Sequence, residues 1–89
     1  MKAIHAIISG RVQGIGFRMA TKHRAEIQNV RGWVKNLPDR TVEVYAEGEV
    51  SDVEHFKVWL KKGCLLSRVD KTQFDEVSVE GMKEFEIKY

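Results

Sequence analysis

Three glycines, one arginine and a distant asparagine carry most of the chemistry that this sequence offers. In the stretch Gly10-Arg11-Val12-Gln13-Gly14-Ile15-Gly16-Phe17-Arg18, the glycines fall at positions 10, 14 and 16. Glycine adopts positive φ at little steric cost and lets a ligand approach the backbone closely. Successive N–H groups in such a loop can converge into a nest that holds an anion. A helix that follows adds its free N–H groups and the positive end of its dipole. Arg18 falls in the first turn of that helix, where a cation meets the unfavourable end of the dipole at about 0.3–1 kcal/mol. No acid lies nearby in sequence to offset it. A guanidinium has a use there if a phosphate-like anion fills the gap, because its planar fork binds two oxygens at once. The plainer alternative is a surface arginine partnered from another element.

The common nucleotide loops do not fit. No Gly-Lys-Ser/Thr is present, and Gly14-x-Gly16 lacks the third glycine of a dinucleotide fingerprint because position 19 is Met19. A lone Gly-x-Gly also serves as a structural turn. The second candidate, Asn36, closes an apolar run. Asparagine at such a place either serves the turn through local hydrogen bonds or presents an uncharged amide to a ligand.

The elements that position these residues must come from a chain of 89 residues, expected to form one domain over 1–89. An apolar fraction of 43% with 31% charged residues fits a globular protein and excludes a disordered tail. Cys64 is the only cysteine, so no internal disulfide forms and a reducing, cytoplasmic location is expected. The apolar run Ala3 to Ile8 is interrupted by His5 and is too short to span a bilayer, so no membrane association is expected. Charge is uneven along the chain. Lys2, Arg11, Arg18, Lys22, Arg24, Arg31 and Lys35 face a single acid, Glu26, before Asn36, whereas acids predominate afterwards. This asymmetry fits either an electropositive region that steers a small anion or a solvated basic helix face.

Periodicity predicts a strand over 2–10 and a helix over 17–29 with Phe17, Ala20 and Ile27 inward. A strand over 30–36, a tight turn over 37–40 and a cleanly alternating strand over 41–47 follow. Ser51-Asp52-Val53-Glu54 reads as a capping box that opens a second helix, with Val53, Phe56, Trp59 and Leu60 as its apolar stripe and Gly63 as its end. Strands over 69–77 and 85–89 complete the chain. The order βαββαβ plus a short final strand predicts an α+β, ferredoxin-like split β-α-β sandwich, an antiparallel sheet with two helices on one face. Strands one and two then run the same way with strand three between them. The loop after strand one and the end of strand two share one edge, about 10 Å apart. Arg18 and Asn36 become neighbours.

Gly10-x-Val12-Gln13-Gly14-Ile15-x-Phe17-Arg18 resembles the signature loop of the acylphosphatase family. Gly32-Trp33-Val34-x-Asn36-x-x-Asp39 is similar to that family's second signature, and Phe85-x-Ile87-x-Tyr89 resembles its terminal strand. The likeness covers nearly the whole chain and implies the same ferredoxin-like fold. It further implies hydrolysis of acyl phosphates, which are carboxyl–phosphate mixed anhydrides, to a carboxylate and inorganic phosphate. Matched position by position, the backbone N–H groups of Arg11, Val12, Gln13, Gly14, Ile15, Gly16 and Phe17 and the Arg18 side chain would bind the phosphoryl group. Asn36 would position the attacking water. The resemblance implies no metal, no cofactor and no covalent intermediate. The expected partners are a small-molecule acyl phosphate and inorganic phosphate, and a monomer is expected.

Gln13 and Thr21 match family positions that support the loop. Asp39 is expected to serve its turn, Phe17 and Trp59 to pack in the core, and Cys64 to pack or sit in a loop. No role is expected for His5, His23 or His55. The sequence departs from the family at Arg40, where glycine is usual; a positive φ there costs an arginine roughly 1 kcal/mol. Arg40→Gly is therefore expected to leave activity intact without lowering the melting temperature. Gly63-Cys64-Leu65 replaces a common Gly-Pro-Pro, with an expected effect on rigidity only.

Two other functions share this element order. An RNA-recognition module stacks bases on aromatics of strands one and three. Strand one here has no aromatic, and Glu43 and Glu47 share the face of Tyr45 and would repel phosphates, so no nucleic-acid partner is expected. A non-catalytic phosphoanion-binding domain of the same fold, of the kind found within larger hydrogenase-maturation enzymes, would use the same loop. The presence of both Arg18 and Asn36 favours the enzyme.

Overall fold

A computed structural model describes all 89 residues and gives the order β1 (Lys2–Arg11), α1 (Phe17–Ile27), β2 (Arg31–Asn36), β3 (Val42–Gly48), α2 (Val50–Lys62), β4 (Arg68–Val77) and β5 (Phe85–Lys88). Alternation organises the centre. Ile4, Ala6 and Ile8 of β1 and Val42, Val44 and Ala46 of β3 are all buried and belong to one apolar cluster with both helices. β1 pairs antiparallel with β3, and β3 antiparallel with β2. The strand order is β4-β1-β3-β2-β5, with α1 over β2 and β5 and α2 over β1 and β4. This is the expected ferredoxin-like sandwich. It gains one feature: β5 lies parallel to β2, so the sheet is mixed rather than wholly antiparallel. No helix is long and apolar enough to cross a membrane.

α2 buries Val53, Phe56 and Leu60. Phe56 meets Phe85 edge-on at 5.9 Å between ring centroids and stacks on Trp59 at 6.4 Å. Truncating so enclosed a ring costs about 3–5 kcal/mol. Trp59 is only partly buried but continues the stack to Phe17 at 5.9 Å, which links α2 to the start of α1.

Two local expectations are corrected. The N-cap of α2 is Glu49 rather than Ser51, and no side chain caps it. The proposed partner in the box, Glu54, instead pairs with Lys2 at 2.8 Å, so its carboxylate is not available to the helix end. In α1 the buried positions are Phe17, Thr21 and Ala25, whereas Ala20 is only partly buried and Ile27 is 55% exposed. Thr21 enters the core because its hydroxyl donates to the Phe17 carbonyl at 2.8 Å, which leaves its methyl to pack. At 3.6 residues per turn, Ile27 lies about 120° around the helix from the middle of that stripe.

Candidate active site

The chain leaves β1 at Arg11 and enters α1 at Phe17, so residues 12–16 form a tight loop at the end of the sheet. Gly14 and Gly16 have φ of 76° and 80°. A Cβ at either would meet nothing within 4 Å, so the left-handed backbone rather than lack of space calls for glycine. Gly16 is the N-cap of α1, and neither a capping side chain nor an acid in the first turn answers that helix end.

Asn36 closes β2, one strand away across β3 from the end of β1. The expected convergence is present. A cavity of about 110 Å³ is lined by Val12, Gly14, Gly16, Phe17, Arg18, Met19, Asn36, Ile87 and Tyr89. That is well below the roughly 300–1,000 Å³ that encloses a drug-sized ligand and matches one small anion. The Asn36 Oδ1 is buried, and no protein group donates to it. An uncommitted acceptor at such a place is suited to orient a water molecule.

Arg18 is held from the far edge of the sheet. Its guanidinium donates through Nη1 to the Lys88 carbonyl at 3.3 Å and lies 4.7 Å from the centre of the Tyr89 ring. No carboxylate lies within 4.0 Å of it, so its charge stays available to an anion.

The other expected residues separate into two groups. Val12, Gly14, Gly16 and Phe17 line the cavity with Arg18 and Asn36, whereas Arg11, Gln13 and Ile15 do not. Ile15 packs against the core. Gln13 turns to the β2–β3 connection, where its amide nitrogen donates to the carbonyls of Leu37 at 2.9 Å and Thr41 at 2.8 Å. Arg11 pairs in register with Arg68 of β4 and lines a neighbouring cavity with Arg40.

Asp39 serves its turn. Its carboxylate accepts from the Thr41 hydroxyl and, at 3.0 Å, from the Thr41 backbone N–H. Those bonds hold its pKa below the ordinary 3.8 and make it a poor base. Arg40 does adopt positive φ, at 74°. The three histidines form no common cluster; His5 pairs with Glu43 at 2.7 Å.

Sequence reasoning missed Met19, Ile87 and Tyr89 as lining residues. The alternation of Phe85, Ile87 and Tyr89 marks a strand, but not that it joins β2 in parallel and brings its end to the loop.

Fold and site together define a small α+β sandwich with one small cavity, lined by Arg18 and Asn36, at the end of its sheet. The family model for acylphosphatase matches residues 4–87, and the chain belongs to the acylphosphatase family. An acylphosphatase from Acaryochloris marina is 43% identical over 84 residues, covering 94% of this chain and 90% of that one. One from Nitrosococcus oceani is 42% identical and covers 96% of each. The crystal structure of acylphosphatase from Bacillus subtilis superposes with a TM-score of 0.96 at 38% identity, over 100% of both chains.

Proposed function

We propose that this protein hydrolyses acyl phosphates with the phosphoryl group cradled by the loop residues Val12, Gly14, Gly16 and Phe17, the Arg18 guanidinium on its oxygens and the Asn36 amide positioning the water. The observation that carries the reading is the single small cavity shared by Gly14, Gly16, Arg18 and Asn36. The water oxygen attacks phosphorus in line as the bond between phosphorus and the acyl oxygen breaks. The carboxylate leaves with that electron pair, and the water proton passes to a phosphate oxygen.

So sparse a site suits this reaction. A carboxylate is a good leaving group and needs no strong acid. The remaining tasks are alignment and stabilisation of charge on the equatorial oxygens. Arg18 and the loop N–H groups supply the second, and removing one such donor typically raises the barrier by about 3 kcal/mol. The Asn36 Oδ1 can accept from the water and orient it without acting as a strong base.

The test is turnover of benzoyl phosphate in the presence of a chelator by wild type, Arg18→Ala and Asn36→Ala. Wild type is expected to turn over with inorganic phosphate as a competitive inhibitor, and both variants to lose at least about 100-fold in kcat. Asn36→Ala should still bind phosphate, whereas Arg18→Ala should bind it weakly. Wild-type turnover no faster than the uncatalysed reaction would sink the assignment.

A further inference from the structure

A second cavity of about 350 Å³ adjoins the first and shares Val12 and Gly14 with it; Gly10, Arg11, Gln13 and Arg40 complete its lining. Two arginines therefore line one space beside the phosphoryl cavity. Neither is in an ion pair, since no carboxylate lies within 4.0 Å of Arg11 or Arg40. The acid next to Arg40 in sequence, Asp39, already accepts both donors of Thr41. Like charges brought to one cavity without a counter-charge repel each other, and an anion reverses the sign of that interaction.

Local structure gives arginine no reason to stand at position 40. Its φ of 74° is a region that favours glycine, and Asn29 is the only other non-glycine residue at positive φ. Its backbone N–H closes the turn onto the Leu37 carbonyl at 3.1 Å, a bond that any residue but proline would make. What arginine adds is reach and charge. The residues common to the two cavities are Val12 and Gly14, and Gly14 has no side chain to stand between them.

We infer that Arg11 and Arg40 form a second anion subsite, and that the preferred substrates are acyl phosphates whose acyl chain carries a further carboxylate or phosphate. This rests on the acyl phosphatase reading above. The phosphoryl group occupies the cavity of Arg18 and Asn36, the chain passes Gly14, and the distal anion meets the two guanidiniums. Arg40 acts on substrate choice and not on the chemical step.

The test compares two probes, succinyl phosphate with a distal carboxylate and benzoyl phosphate without one. In Arg40→Gln, KM for succinyl phosphate is expected to rise roughly tenfold more than KM for benzoyl phosphate, the scale of one charge-assisted contact. Arg40→Lys should keep most of the preference, and added salt should erode it in wild type. Arg40→Gly, which suits the backbone, repeats the measurement in a protein with no strain at the turn. Equal changes on both probes would show that Arg40 acts only through the turn and would overturn the subsite, as would no change on either. Wild-type turnover of benzoyl phosphate tests the hydrolase reading by itself, so the two failures are distinguishable.

Discussion

The Gln13 side-chain amide donates to the Leu37 carbonyl at 2.9 Å, which ties the anion loop to the residue directly after Asn36. A second bond from the same nitrogen to the Thr41 carbonyl, at 2.8 Å, spans the base of the β2–β3 turn. Both halves of the site are thus braced by one side chain that lies outside the cavity. Gln13→Ala should lower kcat at least about tenfold, because small misplacements of a positioning group are costly near the attack geometry. Its effect on phosphate inhibition should be smaller, since Arg18 remains. Steady-state kinetics with phosphate as inhibitor check this, and a kcat within twofold of wild type would remove the brace from the mechanism.

Tyr89 provides a platform for Arg18, with the guanidinium 4.7 Å from the ring centre. A cation over an exposed ring is worth about 0.5–1 kcal/mol. Tyr89→Ala should therefore weaken phosphate binding roughly two- to fivefold, and Tyr89→Phe should not. Phosphate inhibition constants for the two variants decide whether the ring or the hydroxyl matters.

Arg40 holds a left-handed backbone at φ 74°, where a residue with a Cβ is disfavoured by about 1 kcal/mol or more. Arg40→Gly removes that strain but loosens the unfolded chain. The melting temperature should stay level or rise by up to about 5 °C. A clear fall, read by thermal melting, would mean that the side chain itself stabilises the turn.

The site was legible in the sequence where its causes are local. Glycines that need positive φ, an arginine at an uncapped helix start and strands of clear alternation place the loop, Arg18 and Asn36 on one sheet edge. What remained hidden depends on partners distant in the chain. Ser51 and Glu54 have the pattern of a helix start, yet Lys2 from β1 takes the Glu54 carboxylate. Thr21 looks too polar for a core until the Phe17 carbonyl accepts from its hydroxyl. Tyr45 and Glu47 share a strand face that reads as solvent-facing, but both are buried. Nothing in β3 itself announces that residues 78–81 return to cover them.

Glu47 ties that returning segment to the sheet. Its Oε1 accepts from the Tyr45 hydroxyl at 2.8 Å and from the backbone N–H groups of Glu80 at 3.1 Å and Gly81 at 3.0 Å. Burial alone would raise its pKa, but these donors outweigh burial and hold it below the ordinary 4.5. Burial, and then the same bond to Glu47, push the Tyr45 hydroxyl up to about 12, so it stays a donor at neutral pH. A depressed carboxyl contributes stability that is full above its unfolded value and lost as pH falls through its folded value. Glu47→Gln should thus be about 2 kcal/mol less stable at pH 7, roughly 10 °C in melting temperature. The gap should narrow as pH falls below the ordinary carboxylate range. Asp39 and Glu54 are also held below their ordinary values, but they titrate in both proteins and cancel in the comparison. Urea unfolding of wild type and variant from neutral to acid pH measures the gap. A gap that stayed constant throughout would show that the charge on Glu47 is not what pins residues 78–81.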